Sequence, residues 1–215
     1  MTYPRHYSLA DRFLMDLQQA VRTIASSPDE PVGSHPDEGI PEPELDEDQC
    51  RHIAGLMRVN HAGEVSAQAL YQGQALVSRH ADVRDTLRQA AQEEHAHLIW
   101  CRRRLAELGH KPSRLTPAWY FGSLGIGMLA GLAGDRWSLG FVVETENQVI
   151  EHIDRHLDEL PVEDGRTRAI LEQMKHEEAH HGETARRAGG RELPWPVKRL
   201  MNGVSKLMTQ GAKYV

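Results

Sequence analysis

Residues 91–101 read AQEEHAHLIWC and residues 176–181 read HEEAHH. Each contains a Glu-x-x-His step, Glu94 with His97 and Glu178 with His181. A carboxylate and an imidazole three residues apart lie on one face of a helix, and together they make a ligand pair for a divalent metal. Helical phase separates these four residues from their neighbours. The apolar stripe Leu87, Ala90, Cys101, Leu105, Leu108 runs through positions 94 and 97, and the stripe Leu171, Met174, Ala185, Ala188 runs through positions 178 and 181. Glu93 and His95 point elsewhere and are expected to be solvated or to stand behind the ligands. Inward-facing charge costs free energy unless it is paired or bound to a metal.

Two more acids share this phase. The stripe Ile53, Met57, Asn60, Ala67, Tyr71 selects Glu64, and the stripe Val142, Val149, Ile153, Leu157, Leu160 selects Glu146. Glu144 falls on the opposite side of that second helix, beside Asn147, Gln148, Glu151 and Arg155, and is expected to be exposed. Glu64 precedes Glu94 at nearly the distance at which Glu146 precedes Glu178. Two helix pairs therefore repeat one pattern, a Glu followed by Glu-x-x-His. That is the ligand set of carboxylate-bridged di-iron and di-manganese bundles. Four carboxylates offset the charge of two divalent cations, and the mixed oxygen and nitrogen donors suit Fe(II) or Mn(II). His61, His95, His152, His156, His176 and His180 are expected to be solvated or to support ligands, with His152 the best placed for support. Residues 176–180 also match the zinc-protease pattern HExxH, but His176 and His180 lie away from the apolar stripe, which argues against a zinc site.

The elements that must carry these residues are helical. Helices are expected near 8–26, 46–78, 82–109, 135–160 and 164–189, with no sustained period-two alternation and hence no sheet. In the first, Ser8 and Asp11 form a capping box, and Leu9, Phe13, Leu17, Val21 and Ile24 share a face. Residues 27–48 hold five prolines and many acids, with no Lys or Arg, and read as an extended linker. The chain divides into an N-terminal helix and acidic Pro-rich linker, 1–45, and a helical domain, 46–215. The fold class is all-α, an antiparallel ferritin-like four-helix bundle with extra membrane-facing amphipathic helices. Residues 115–134 carry no charge but include Pro117 and several glycines, and as an apolar run they are barely long enough to span a bilayer. Residues 196–215 set Val197, Leu200, Met201, Val204, Leu207 and Met208 on one face, with Lys198, Arg199, Lys206 and Lys213 as the only charges, the composition of an interfacial helix. The net charge of −6 excludes nucleic acid as the main partner. Two cysteines without CxxC spacing rule out a disulfide framework and fit a reducing compartment. The opening MTYPRHYSLADRF lacks the apolar core of a secretory signal.

Four stretches, RVNHAGEVSAQALYQGQ, EEHAHLIWCRRRLAELG, VVETENQVIEHID and KHEEAHHGETA, resemble the demethoxyubiquinone hydroxylase family of ubiquinone biosynthesis over roughly residues 46–215. The longer arrangement resembles a bacterial form, without a mitochondrial presequence. The resemblance implies O2-dependent hydroxylation of the ring of a polyprenyl benzoquinol, with Glu64, Glu94, His97, Glu146, Glu178 and His181 holding two irons, manganese being the lesser candidate. It further implies a peripheral position on the cytoplasmic side of the cell membrane, an external electron donor and protein partners of the same pathway. The competing readings are an iron-storage or ferroxidase bundle, another di-iron oxidase or peroxide reductase, and a metal-free membrane-associated helical protein. The uncharged segment argues against storage, and two cysteines cannot build the extra four-cysteine iron site of many peroxide reductases.

Overall fold

A computed structural model describes residues 9–214, the side chains of 9–13 and 16 excepted; the Ser8–Asp11 capping box lies outside the described residues. Among the described residues seven helices follow one another: α1 (Leu9–Ala25), α2 (Glu47–Val77), α3 (Ala81–Glu107), α4 (Thr116–Leu132), α5 (Asp135–Glu159), α6 (Gly165–Arg187) and α7 (Trp195–Tyr214). Among the described residues there is no strand. The ends follow local chemistry. Asp46 caps α2 in a reciprocal box with Gln49, and the Asp164 side chain accepts the Thr167 N–H at 3.0 Å to cap α6. Gly109 and Gly134 take positive φ at the breaks after α3 and α4, where a side chain would be strained.

Helices α2, α3, α5 and α6 form the ferritin-like bundle, with the short turns α2–α3 and α5–α6 making antiparallel pairs. Its core has two apolar layers. One combines Ile53, Met57, Trp100, Leu105, Ile153 and Leu171. The other combines Tyr71, Val83, Leu87, Leu139, Val142 and Ala185. The first uses the N-terminal half of α2 and the C-terminal half of α3, the second the reverse, so the middle of each helix lies between the layers. The phase-selected Glu and His residues occupy those middles.

The uncharged segment forms α4, a 17-residue helix that packs along α2. Its glycines have a role: a Cβ on Gly127 would run into the Leu70 carbonyl, and one on Gly73 would run into Leu124. Backbone meets backbone there because side chains are missing on both helices. No described helix is long and apolar enough to cross a membrane.

Tertiary packing decides two features of the N-terminal stretch. In α1, Leu17 and Val21 are exposed, while Ala20 and Thr23 are buried against α2. The reason is the receiving surface: Thr23 donates to Gln68 at 2.7 Å beside Val65 and Ala69, which accepts a small, polar face better than a bulky one. The acidic stretch after α1 is irregular but not a free linker. Glu30 meets His95 at 2.9 Å, the buried Asp37 accepts from Arg166 at 2.9 Å, and Glu42 accepts from Arg104 at 2.8 Å. Its acids are thus counter-charges for basic residues of α3 and α6, in addition to those that Glu107 and Asp164 supply.

Arg104 is the centre of this strap. Fully buried, it donates to Thr167 at 2.9 Å and to the equally buried Asp164 at 3.2 Å, besides Glu42 and Glu107. Arg104→Met should cost about 3–5 kcal/mol by stranding the Asp164 carboxylate. Adding Asp164→Asn should recover part of that loss in a urea-unfolding double-mutant cycle; strictly additive losses would refute the coupling.

Candidate metal centre

All six predicted residues are buried and meet between the core layers: Glu64 from α2, Glu94 and His97 from α3, Glu146 from α5, Glu178 and His181 from α6. They form two overlapping groups. Glu64, Glu94, His97 and Glu178 offer one ligand atom each, all within 4.8 Å of one another, and so do Glu94, Glu146, Glu178 and His181. Glu94 and Glu178 belong to both groups and could bridge two cations, with Glu64 and His97 completing one site and Glu146 and His181 the other.

The imidazoles are oriented alike. His97 Nδ1 lies 3.0 Å from Glu94, 3.1 Å from Glu178 and 3.5 Å from Glu64. His181 Nδ1 lies 3.1 Å from Glu94 and 3.3 Å from Glu178. Both rings thus aim Nδ1 at the two shared carboxylates. Glu146 Oε2 is buried and accepts no hydrogen bond, and the buried Glu94 Oε1 and Glu64 Oε2 face only imidazole nitrogens, at 3.1 and 3.5 Å. Buried carboxylate oxygens without donors are costly, and they converge where cations would satisfy them, so the donor set fits a pair of divalent metals.

Electrostatics follow from the burial. Burial pushes Glu64 well above the usual carboxylate range, and the Glu94 and Glu178 charges add to the effect. Burial and then the Glu178 charge do the same to Glu146. For Glu94 burial works upward but loses to hydrogen bonds with His181 and His97, which hold it low. Burial would lower both imidazoles, yet the surrounding carboxylates outweigh it: His97 rises well above its ordinary value and His181 rises to about 11.

Several neighbours were not singled out by phase. The Tyr71 hydroxyl, two turns beyond Glu64 on the same α2 stripe, donates to Glu146 Oε1; its place on an inward stripe was the available signal. Glu177 reaches His97 Nε2 at 2.6 Å and Glu93 reaches His181 Nε2 at 3.0 Å. Glu93 thus stands behind a centre residue, one of the two places expected for it, while for Glu177 only the tertiary contact supplies the signal. Glu144 is half-buried against Lys198 of α7 rather than exposed, because α7 covers that side of α5, while Glu146 is the one that enters the centre. His176 and His180 are exposed, which removes the zinc-protease arrangement. His61, His95 and His156 are buried: His61 receives Arg102 at 3.3 Å, His95 pairs with Glu30 and His156 with Asn60 at 3.0 Å.

Two openings approach the centre. A cavity of about 350 Å³ between α2, α4, α5 and α7, walled by Leu70, Ile126, Val149, Leu200 and Met208, ends at Glu64. A smaller cleft of about 130 Å³ reaches Glu93 and His181 past Thr86, Gln89 and Thr184.

Cation binding must displace the protons held by His97, His181, Glu64 and Glu146. Their raised affinities set the sign: metal uptake releases protons, and apparent affinity climbs with pH. Mn(II) titrations from about pH 6 to about pH 8 should show steadily tighter binding, whereas a flat profile would contradict this charge balance.

Comparison with known proteins covers the stretch that holds these residues. The family model for ubiquinone biosynthesis protein COQ7 matches residues 51–212. A 3-demethoxyubiquinol 3-hydroxylase of Nitrosococcus oceani is 51% identical over 211 residues, covering 98% of this chain and 99% of that relative. The hydroxylase of Azotobacter vinelandii is 52% identical over 210 residues, 98% of each chain. That of Legionella pneumophila (strain Paris) is 51% identical over 212 residues, 98% of this chain and 100% of the relative.

Proposed function

Because this chain belongs to the COQ7 family of ubiquinone biosynthesis proteins, we propose that it is a 3-demethoxyubiquinol 3-hydroxylase whose six buried ligands hold two irons. The observation that carries this reading is the pair of four-residue groups sharing Glu94 and Glu178. The relatives are hydroxylases, which disfavours the storage and peroxidase alternatives.

A bound metal pair would supply the O2-activating redox chemistry that no side chain here can provide. The ring gains one oxygen atom of O2 and the other leaves as water, with two electrons and two protons supplied by a donor outside this chain. The protein's own residues seat the substrate. The apolar walls of the 350 Å³ cavity would take a quinol head group and exclude water beside Glu64. His152 borders the cavity with its Nε2 unbonded, and burial lowers it to about 4, which suits a neutral imidazole exchanging a hydrogen bond with a ring oxygen.

A polyprenyl tail belongs in a bilayer, and the cavity walls come from the helices that leave apolar residues outside. Phe121, Leu129 and Leu132 of α4, and Leu200, Val204 and Leu207 of α7, are exposed. With the basic residues of α7 they support peripheral docking on the cytoplasmic face of an anionic membrane.

Two measurements test these readings. Aerobic turnover of a demethoxyubiquinol with ¹⁸O2 and a reductant should label the product with one ¹⁸O. Wild type should hold two irons per chain, Glu64→Ala about one, and Glu178→Ala almost none, since Glu178 serves both groups. An iron-loaded protein that yields no labelled product would overturn the assignment. Phe121→Ser with Leu207→Ser, both outside the cavity, should weaken sedimentation with anionic vesicles at unchanged iron content; undiminished vesicle binding would refute the docking face.

A further inference from the structure

The two ligand helices repeat more than Glu-x-x-His. Residues 89–97 and 173–181 share the longer pattern Gln-x-x-x-Glu-Glu-x-x-His. The second Glu of each pattern enters the centre. The first is rotated by about 100° and does not face its own metal group. Glu177 of α6 instead meets His97 of α3, Oε2 to Nε2 at 2.6 Å, and Glu93 of α3 meets His181 of α6, Oε2 to Nε2 at 3.0 Å. The contacts cross the α3–α6 seam in both directions. The Gln of each pattern braces its Glu along the helix: Gln173 donates to Glu177 at 2.6 Å and Gln89 donates to Glu93 at 2.9 Å.

We propose that Glu93 and Glu177 are crossed positioning residues, each fixing the imidazole ligand carried by the opposite helix. The proposal rests on the dinuclear reading above. A neutral imidazole that binds a cation through Nδ1 keeps its proton on Nε2. Both Nδ1 atoms face Glu94 and Glu178, so both Nε2–H groups point at the crossed carboxylates. Accepting that hydrogen bond selects the tautomer, fixes the ring plane and makes Nδ1 a stronger donor. Crossing adds a second consequence: each half-centre is complete only when α3 and α6 are in register, since the ligand comes from one helix and its orienting carboxylate from the other. Glu93 and Glu177 remain partly exposed while their imidazoles are buried, so each contact also runs from the buried ring to the protein surface.

The test uses the full chain and Mn(II) titration without oxygen. Glu177→Ala and Glu93→Ala should each weaken Mn(II) binding by about 10–100-fold. Glu177→Gln and Glu93→Gln should retain most of the affinity, because an amide oxygen still accepts Nε2–H. Glu183→Ala, an exposed acid on α6 paired with Arg186 and Arg187, should match wild type. Melting of the cation-free variants is followed in parallel. Alanine variants that bind two Mn(II) as tightly as wild type would overturn the crossed pairing alone. So would Gln variants as weak as alanine with equally lowered melting, which marks a merely structural contact. Wild type that binds no Mn(II) or Fe(II) would overturn the dinuclear reading itself.

Discussion

Everything in this molecule is arranged around charge buried at the middle of an apolar bundle. Four carboxylates and two imidazoles meet between two hydrophobic layers, with almost no exposed surface. Uncompensated, such a cluster would cost several kcal/mol per ion. Protons provide one form of compensation, on the raised His97, His181, Glu64 and Glu146. Divalent cations provide another, with the same donors and the same overall charge. Protons and metals would therefore compete for the centre, and Glu146 Oε2, which accepts no hydrogen bond, is a place where a cation would add something protons do not.

The rest of the fold gives this cluster rigid walls and unequal sides. The Arg104–Asp164–Glu42 network ties the acidic strap to α3 and α6, so the stretch that connects α1 to α2 braces the helices that carry both Glu-x-x-His steps. The Gly73 and Gly127 contacts bring α4 against α2 at backbone distance, and α4 with α7 then roofs an apolar cavity that ends at Glu64. On the His181 side the approach is smaller and of mixed lining, with Thr86, Gln89 and Thr184 among Leu87, Leu139 and Val142. The centre thus has one wide apolar approach and one narrow mixed approach, from different sides of the bundle.

The sequence by itself picked out the six buried Glu and His residues of the centre and most element boundaries. Helical phase is a local property, and an acid on an otherwise apolar stripe stands out because burial makes it expensive; Glu64, Glu94, Glu146 and Glu178 were legible for that reason, as were the approximate ranges of α2, α3, α5 and α6. Tertiary structure decided what periodicity could not express. The crossed contacts of Glu93 and Glu177 depend on how α3 lies against α6, and neither residue sits on an apolar stripe. The outward turn of Leu17 and Val21 depends on the small polar surface that α2 offers to α1. The strap looked like a linker because prolines and acids have no period, yet its acids find buried Arg104 and largely buried Arg166 only once α3 and α6 are side by side. Local pattern specifies which face of a helix turns inward; which neighbour meets that face is set by the packing of whole helices, where charge must be matched across the chain.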